Sequence, residues 1–369
     1  MFRETVWPRW LARFGAFGVF GVLGFSALLS ACAGEPREAA PVTEPASLDE
    51  LAGLTAEEGP ALWYDSSPED QGRAVTEAFN RRYPSASVRH VRLVGGLDIA
   101  ARMVLEARSP GEASDVATLA AEQAHGLQSR DLLSNVPWAR YGVDESMIAA
   151  PFAVATAAAV YVVLFNTDLL TKEEAPSSWD DFLGARWAGR LGAWVSPHPL
   201  VQMVPAWGAD RTTNYAAAFA AQEPILYRST FPLAQAVASG ELPAALGIWH
   251  AARPAIEAGA PLSTALLDPT PVSTLYTVVP ANAPRPYTAR LFAAWLASDE
   301  GALAYEEATG RGNPGTPATE TARLLQGRAT SEFPFSEAAE AGEWMERLGA
   351  TLRAGAEQTA TEPSASGGG

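Results

Sequence analysis

Cysteine occurs once, at position 32, and lysine once, at position 172, in a chain of 369 residues. A single cysteine excludes an intrachain disulfide framework and a cysteine-based metal cluster. With lysine almost absent, positive charge is carried by arginine. The 26 basic residues stand against 42 acidic ones, a formal net charge of −16. That balance argues against nonspecific nucleic-acid binding. No G-x-x-x-x-G-K run is present, so the chain has no Walker-type phosphate loop of its own. No H-E-x-x-H is present, and the glycine pair Gly95-Gly96 does not continue into G-x-G-x-x-G. The four histidines, at 90, 125, 198 and 250, show no local arrangement that would orient a general base. No serine lies in a nucleophile-elbow pattern. Catalysis, a resident cofactor and a metal centre are therefore not expected.

What is present begins with a basic head, MFRETVWPRWLARFG, followed by an apolar core at 16–29 and small residues up to Ala31. The core is shorter than the roughly 20 residues of a standard membrane span, although flanking residues extend it. This order reads as a secretory signal over residues 1–31. The sequence Leu29-Ser30-Ala31-Cys32 resembles a bacterial lipoprotein processing box. The resemblance implies cleavage before Cys32, acylation of its thiol and a lipid-anchored, extracytoplasmic protein without a transmembrane helix. Ala33 at the next position is compatible with outer-membrane sorting in a Gram-negative cell. Residues 32–58 read as a flexible tether and 351–369, ending Ser-Ala-Ser-Gly-Gly-Gly, as a disordered tail.

Between these ends, strand and helix signals alternate. Ala61–Tyr64 is a strand candidate, and 68–82 a helix with Glu69 and Asp70 in its first turn. A strand at Ser87–Leu93, a helix at 97–110, a strand at Asp115–Leu119 and a helix and turn at 121–133 follow. Farther on, 149–152 and 158–170 form an extended apolar segment. Strands are expected at 190–194, 224–228, 244–249 and 275–280, and one mostly helical stretch at 286–310. Strands separated by crossover-length helices imply a parallel α/β sheet. The order suggests two lobes, with the chain crossing near 150–158 and returning near 270–275.

Several ordered stretches resemble the extracellular solute-binding proteins of ABC importers, in the branch of ferric-ion and related small-solute binders. They are 63-WYDSSPEDQGRAVTEAFNRRYP-84, 101-ARMVLEARSP-110, 114-SDVATL-119, 165-FNTDLL-170, 176-PSSWDDFLGARWAGRLG-192, 234-AQAVASGE-241 and 292-FAAWLASDEG-301. The resemblance implies a two-lobed α/β periplasmic binding protein fold (type 2) with the ligand cleft between lobes. Lobe 1 is then expected from 59–153 and 272–350, and lobe 2 from 154–271. A monomer is implied, with an ABC permease and ATPase complex as partner, a small solute as ligand and Cys32 lipid as membrane attachment. A non-transport sensor using the same trap is the alternative role.

The candidate ligand contacts are drawn from the strand exits. Ser66 and Ser67 follow the first strand; they cap the next helix, hold a solute, or do both. Gly95 and Gly96 offer turn geometry or a close backbone approach. Trp194 and Ser196 follow a lobe 2 strand, and Ser229 and Thr230 precede a helix there. Tyr64 and Tyr276 are either packing residues or cleft residues. Ferric-ion binders of this family carry adjacent tyrosines at the strand end that corresponds to 244-AALGIWHAARP-254. This chain has Trp249 and His250 there and no Tyr-Tyr anywhere. His250 is open to metal ligation, a hydrogen bond to an organic solute, or hinge packing. Trp249 is core or an aromatic wall, which would favour a cationic amine. Ferric ion with an accompanying anion, a carboxylate- or phosphonate-like solute, and a thiamine- or polyamine-like cation all remain open.

Overall fold

The computed structural model describes residues 43–108 and 113–361. The first helix, α1 (Leu48–Leu54), is capped by Ser47 in the sequence pattern Ser-x-x-Glu. The Glu50 N–H donates to Ser47 Oγ at 3.2 Å, and Glu50 Oε2 accepts from the Ala46 N–H at 2.7 Å. Next comes β1 (Ala61–Asp65), buried at all five positions because helices cover both its faces. Then follow α2 (Glu69–Arg82), β2 (Val88–Arg92), α3 (Gly96–Glu106), β3 (Val116–Ala120) and α4 (Ala121–Gln128). The chain continues through β4 (Ile148–Ala150) and the long β5 (Ala153–Asn166).

The middle of the chain holds β6 (Leu191–Trp194), α5 (His198–Val201), α6 (Val204–Ala220), β7 (Ile225–Tyr227), α7 (Thr230–Ala238), β8 (Ala244–Ile248), α8 (Trp249–Glu257) and β9 (Leu262–Ala265). The last part holds β10 (Thr270–Val278), α9 (Pro286–Leu296), α10 (Asp299–Thr309), α11 (Glu320–Leu325), β11 (Thr330–Ser331) and α12 (Ala338–Thr361). No helix among the described residues is long and apolar enough to cross a membrane.

Strand order runs β2-β1-β3-β10-β5-β8-β6-β7. Around β1 and around β6 the pairing is parallel, whereas β10 runs antiparallel to β3 and β5, and β5 antiparallel to β8. One half of β5, Val154–Val160, pairs with β10; the other half, Tyr161–Phe165, pairs with β8. One strand thus belongs to both lobes. Its ladder with β10 shifts register at Leu275/Tyr276, leaving Thr156 as the extra residue. Thr156 Oγ1 meets Thr277 Oγ1 at 2.9 Å, which fixes this bulge where the lobes join.

Each lobe has apolar packing on both sheet faces. In lobe 1, Trp63, Phe79, Phe292 and Trp295 cluster on the α2 and α9 side. Leu62, Ile99, Met103 and Leu127 cluster on the α3 and α4 side. In lobe 2, Val162, Leu164 and Leu233 pack with α7 and α8. Val163, Phe165, Leu191 and Phe219 pack on the α6 face. The turn before α2 thus lies near α8 on one face, and α4 meets α5 on the other.

Three expectations are revised. Residues 272–350 were assigned to lobe 1, but Phe333, Ala341, Trp344 and Leu348 are buried in the lobe 2 core. The chain crosses between lobes a third time, through the segment in which Gly312 O accepts the Ala158 N–H at 2.8 Å. Residues 32–58 were read as a tether. From residue 43 onward this stretch is docked: α1 buries Leu51, and Glu44 bonds Arg290 Nη1 at 3.0 Å and accepts from the Tyr141 hydroxyl. The disordered tail was placed from 351, whereas α12 continues to Thr361 and buries Leu352. The stretch expected to be mostly helical at 286–310 holds two helices, α9 and α10, because Ser298 caps α10 and accepts the Gly301 N–H at 3.2 Å. Cys32, the signal segment and the last eight residues lie outside the described residues.

Candidate functional site

The exit of β1 is organised by a buried arginine. Asp65 Oδ1 accepts the Ser67 N–H at 2.7 Å, which bends the chain into a tight turn. Arg311, just beyond α10, donates from Nη1 to Asp65 Oδ2 at 3.3 Å and to Ser67 Oγ at 3.0 Å. Its Nη2 donates to Ser66 Oγ at 3.2 Å. Tyr305 Oη donates to Asp65 Oδ2 at 2.9 Å. Burial pushes the Asp65 carboxyl up, but Arg311, His90 and the Ser67 hydroxyl and N–H outweigh it and hold it below its ordinary value. Neither serine caps α2; the N-cap is Pro68 and no side chain bonds to that helix end. Ser67 is fully buried, and its hydroxyl accepts from Arg311. Ser66, half-buried, accepts from Arg311 and keeps its own proton for a further partner.

Lobe 2 closes on this turn through α8. Gly310 takes φ +72°, and a Cβ there would lie 3.2 Å from the His250 Cα, so glycine is what lets α8 come so near. Arg253 Nη1 donates to Glu306 O at 2.8 Å along the same seam. His250 is buried, its Nδ1 has no hydrogen-bond partner, and its ring lies 6.1 Å from Phe231 of α7. Burial, with Arg311 adding repulsion, holds its imidazole well below the ordinary value. A neutral imidazole beside a fixed guanidinium is a poor site for a cation. Among the described residues no group of three or more His, Cys, Asp or Glu converges as metal ligands do. The half-buried Trp249 leaves its Nε1–H buried and unpartnered. Ser229 is the N-cap of α7 without a side-chain cap bond, and Thr230 is 9% exposed. The structure thus brings Ser66, Ser67, Arg311, His250 and the start of α7 into one neighbourhood.

A second meeting point joins α4 and α5. His198 Nε2 lies 2.9 Å from Glu122 Oε1, while Ser196 Oγ lies 2.6 Å from His198 Nδ1. Trp194 stacks on the His198 ring, centroids 5.2 Å apart and planes 13° off parallel. Burial opposes ionisation of Glu122, but His198, its own backbone N–H and Gln123 outweigh it and keep the carboxyl below its ordinary value. The order is reversed from a hydrolase triad, where the serine meets Nε2 and the acid Nδ1. Gly95 has φ +92° at the start of α3, and a Cβ on Gly96 would come within 2.7 Å of Gln123 Oε1. Both glycines therefore answer to backbone shape and close packing.

Two tyrosines singled out from sequence sit elsewhere. Tyr64 is 1% exposed in the lobe 1 core, its hydroxyl donating to Glu106 Oε1 at 2.7 Å. Tyr276 is 7% exposed and packs on Phe335, centroids 4.5 Å apart. Arg311, Glu122 and His198 were not singled out. The one local signal for Arg311 is its place between two glycines, Gly310 and Gly312, directly after a helix.

The family model described as bacterial extracellular solute-binding protein matches residues 74–326. No curated protein sequence matches the chain. Among solved structures, the chain is similar to iron-bound HitA from Pseudomonas aeruginosa, with 19% identity, 79% of this chain and 99% of that one covered, and a TM-score of 0.67. It is similar to the substrate-binding protein of the ABC transporter from Agrobacterium tumefaciens, with 18% identity, 84% and 97% covered, and a TM-score of 0.69. It is also similar to the periplasmic binding protein AfuA from Actinobacillus pleuropneumoniae with fructose-6-phosphate bound, at 18% identity, 82% and 100% covered, and a TM-score of 0.67. At these identities the likeness establishes the fold.

Proposed function

The chain belongs to the bacterial extracellular solute-binding proteins, and on that premise we propose that it captures a solute rich in hydrogen-bond acceptors and delivers it to an ABC importer. Its work is capture and release outside the cytoplasmic membrane, not catalysis. Solute enters between the lobes, the strands shared by both lobes bend, and contacts from each side favour the closed form that a permease recognises. The permease complex supplies the ATPase.

The observation that carries the solute class is a set of donors without acceptors at the α2–α8 seam. Arg311 occupies lone pairs of both serines, so Ser66 faces outward as a donor. The Trp249 Nε1–H is buried without a partner, a state costing about 1–3 kcal/mol that a ligand acceptor relieves. The uncapped starts of α7 and α8 add backbone N–H groups. A carboxylate- or phosphate-bearing organic solute fits this set; a bare cation beside Arg311 does not. AfuA, with its sugar phosphate, illustrates such a ligand on the same fold.

Mass spectrometry of solute released from natively purified protein tests the reading. An organic anion near one equivalent is expected, with retention lost in Ser66→Ala. Stoichiometric iron, or a cationic solute, overturns it. The box ending at Cys32 supports acylation of that cysteine and attachment to a membrane. Incorporation of labelled fatty acid in cells, abolished by Cys32→Ser, is the expected result; an unlabelled wild type refutes it.

A further inference from the structure

The pair Glu122–His198 connects residues 76 apart in sequence that belong to different lobes, and both side chains are nearly buried, 10% and 13% exposed. Each partner is braced from its own lobe. On the lobe 1 side, Gln123 Nε2 donates to Glu122 Oε1 at 2.8 Å, and Gln123 Oε1 accepts the Ala120 N–H at 3.1 Å. Gly96, having no side chain, leaves room for that amide. On the lobe 2 side, Trp194 holds the His198 ring by stacking and Ser196 holds its Nδ1 edge. Trp194 in turn packs against Ala159, Tyr161 and Ile248, beside the strand that both lobes share.

A contact made between two bodies that separate on opening contributes nothing to the fold of either one. Its free energy goes into the ratio of closed to open molecules. Prepositioning on both sides lowers the ordering cost of making it. We propose that Glu122 and His198 form a latch that holds the lobes closed in the absence of solute. They are positioning residues, which set affinity through the closed population. The inference rests on the capture reading only in assuming that the lobes open. It names no solute, so it is tested on solute-free protein.

The test is an inter-lobe distance distribution. Spin labels go on Leu105→Cys in lobe 1 and Ile225→Cys in lobe 2, both exposed, in a Cys32→Ser background. Electron–electron dipolar spectroscopy is then run on dialysed, solute-free protein. The latch predicts a dominant short distance in the parent. His198→Phe keeps a ring to stack on Trp194 but removes both nitrogens, and Glu122→Ala removes the acceptor. Each is expected to lower the closed-to-open ratio about tenfold, as for loss of one charge-assisted hydrogen bond. The double variant should open no further than either single one, because one interaction is lost once. Circular dichroism unchanged from the parent shows that the lobes are intact, and either single variant suffices if the other does not fold. Distance distributions identical to the parent, or fully additive opening in the double variant, overturn the proposal. Loss of the solute reading by mass spectrometry leaves these distances unaffected, so the two failures are separable.

Discussion

Replacing Arg311 by methionine tests whether the charge beneath the serine turn is paired as the structure draws it. Asp65 and Arg311 are 1% and 7% exposed and 3.3 Å apart. Removing one member of a buried ion pair costs about 3–5 kcal/mol, because the remaining charge is uncompensated. Here the carboxylate retains the Tyr305 hydroxyl at 2.9 Å and the Ser67 N–H at 2.7 Å. The loss therefore falls at the low end, about 3 kcal/mol at neutral pH.

Its pH dependence is the signature. Burial pushes Asp65 up, but its partners leave the folded value below the ordinary one. Stabilisation from such a group is present above the unfolded value of about 3.9 and is lost as pH falls through the folded value. In Arg311→Met the burial that opposes ionisation loses its main counterweight. The carboxyl then takes up a proton at milder acidity, which relieves the penalty. The gap between wild type and variant is therefore full at neutral pH and narrows as pH falls toward about 4. Urea unfolding followed by tryptophan fluorescence at pH 7, 5 and 4 measures it. An equal loss at all three values, or a loss below about 1 kcal/mol at pH 7, would refute the ionic pairing.

Two further outcomes follow from packing. Trp344→Ala should destabilise the protein by about 3–5 kcal/mol, since Trp344 is 3% exposed in the lobe 2 core; a change near zero in the same urea assay would remove α12 from that core. Gly310→Ala must hold a Cβ at φ +72° and 3.2 Å from the His250 Cα. It should cost about 1–2 kcal/mol and shift solute-free protein toward open forms, read as a larger radius of gyration by X-ray scattering; an unchanged radius and stability would contradict that close approach.

What was legible in the sequence was local. Alternating apolar strands and crossover helices announced the α/β order, and the strand exits pointed to Ser66, Ser67, Ser229 and His250. The cap assigned to the serines failed for a local reason too: Asp65 takes the Ser67 N–H first, and the hydroxyls turn to Arg311. Arg311 itself was hidden because Ser66 lies 245 residues away. Glu122 and His198 were hidden in the same way, each ordinary until the lobes meet. Two features were readable but passed over. Ser47-Leu48-Asp49-Glu50 carries the Ser-x-x-Glu pattern of a helix start inside the stretch read as a tether. Ala341, Trp344 and Leu348 form a helical stripe in the region assigned to lobe 1, and Leu352 continues it into the stretch read as a tail.

The docking of Glu44 onto Arg290 and of α1 onto α9 also sets a leash length. Arg290 is 5% exposed, and its guanidinium holds Glu44 at 3.0 Å, so the chain is moored to lobe 1 well before β1 begins. With Cys32 acylated as proposed, only residues 33–42 separate the lipid from that mooring, a contour of at most about 35 Å. A free stretch through residue 58 would reach about 90 Å. The protein would then stay within a thin layer above its membrane. Substituting Arg290 would lengthen the leash and widen that layer without touching the cleft.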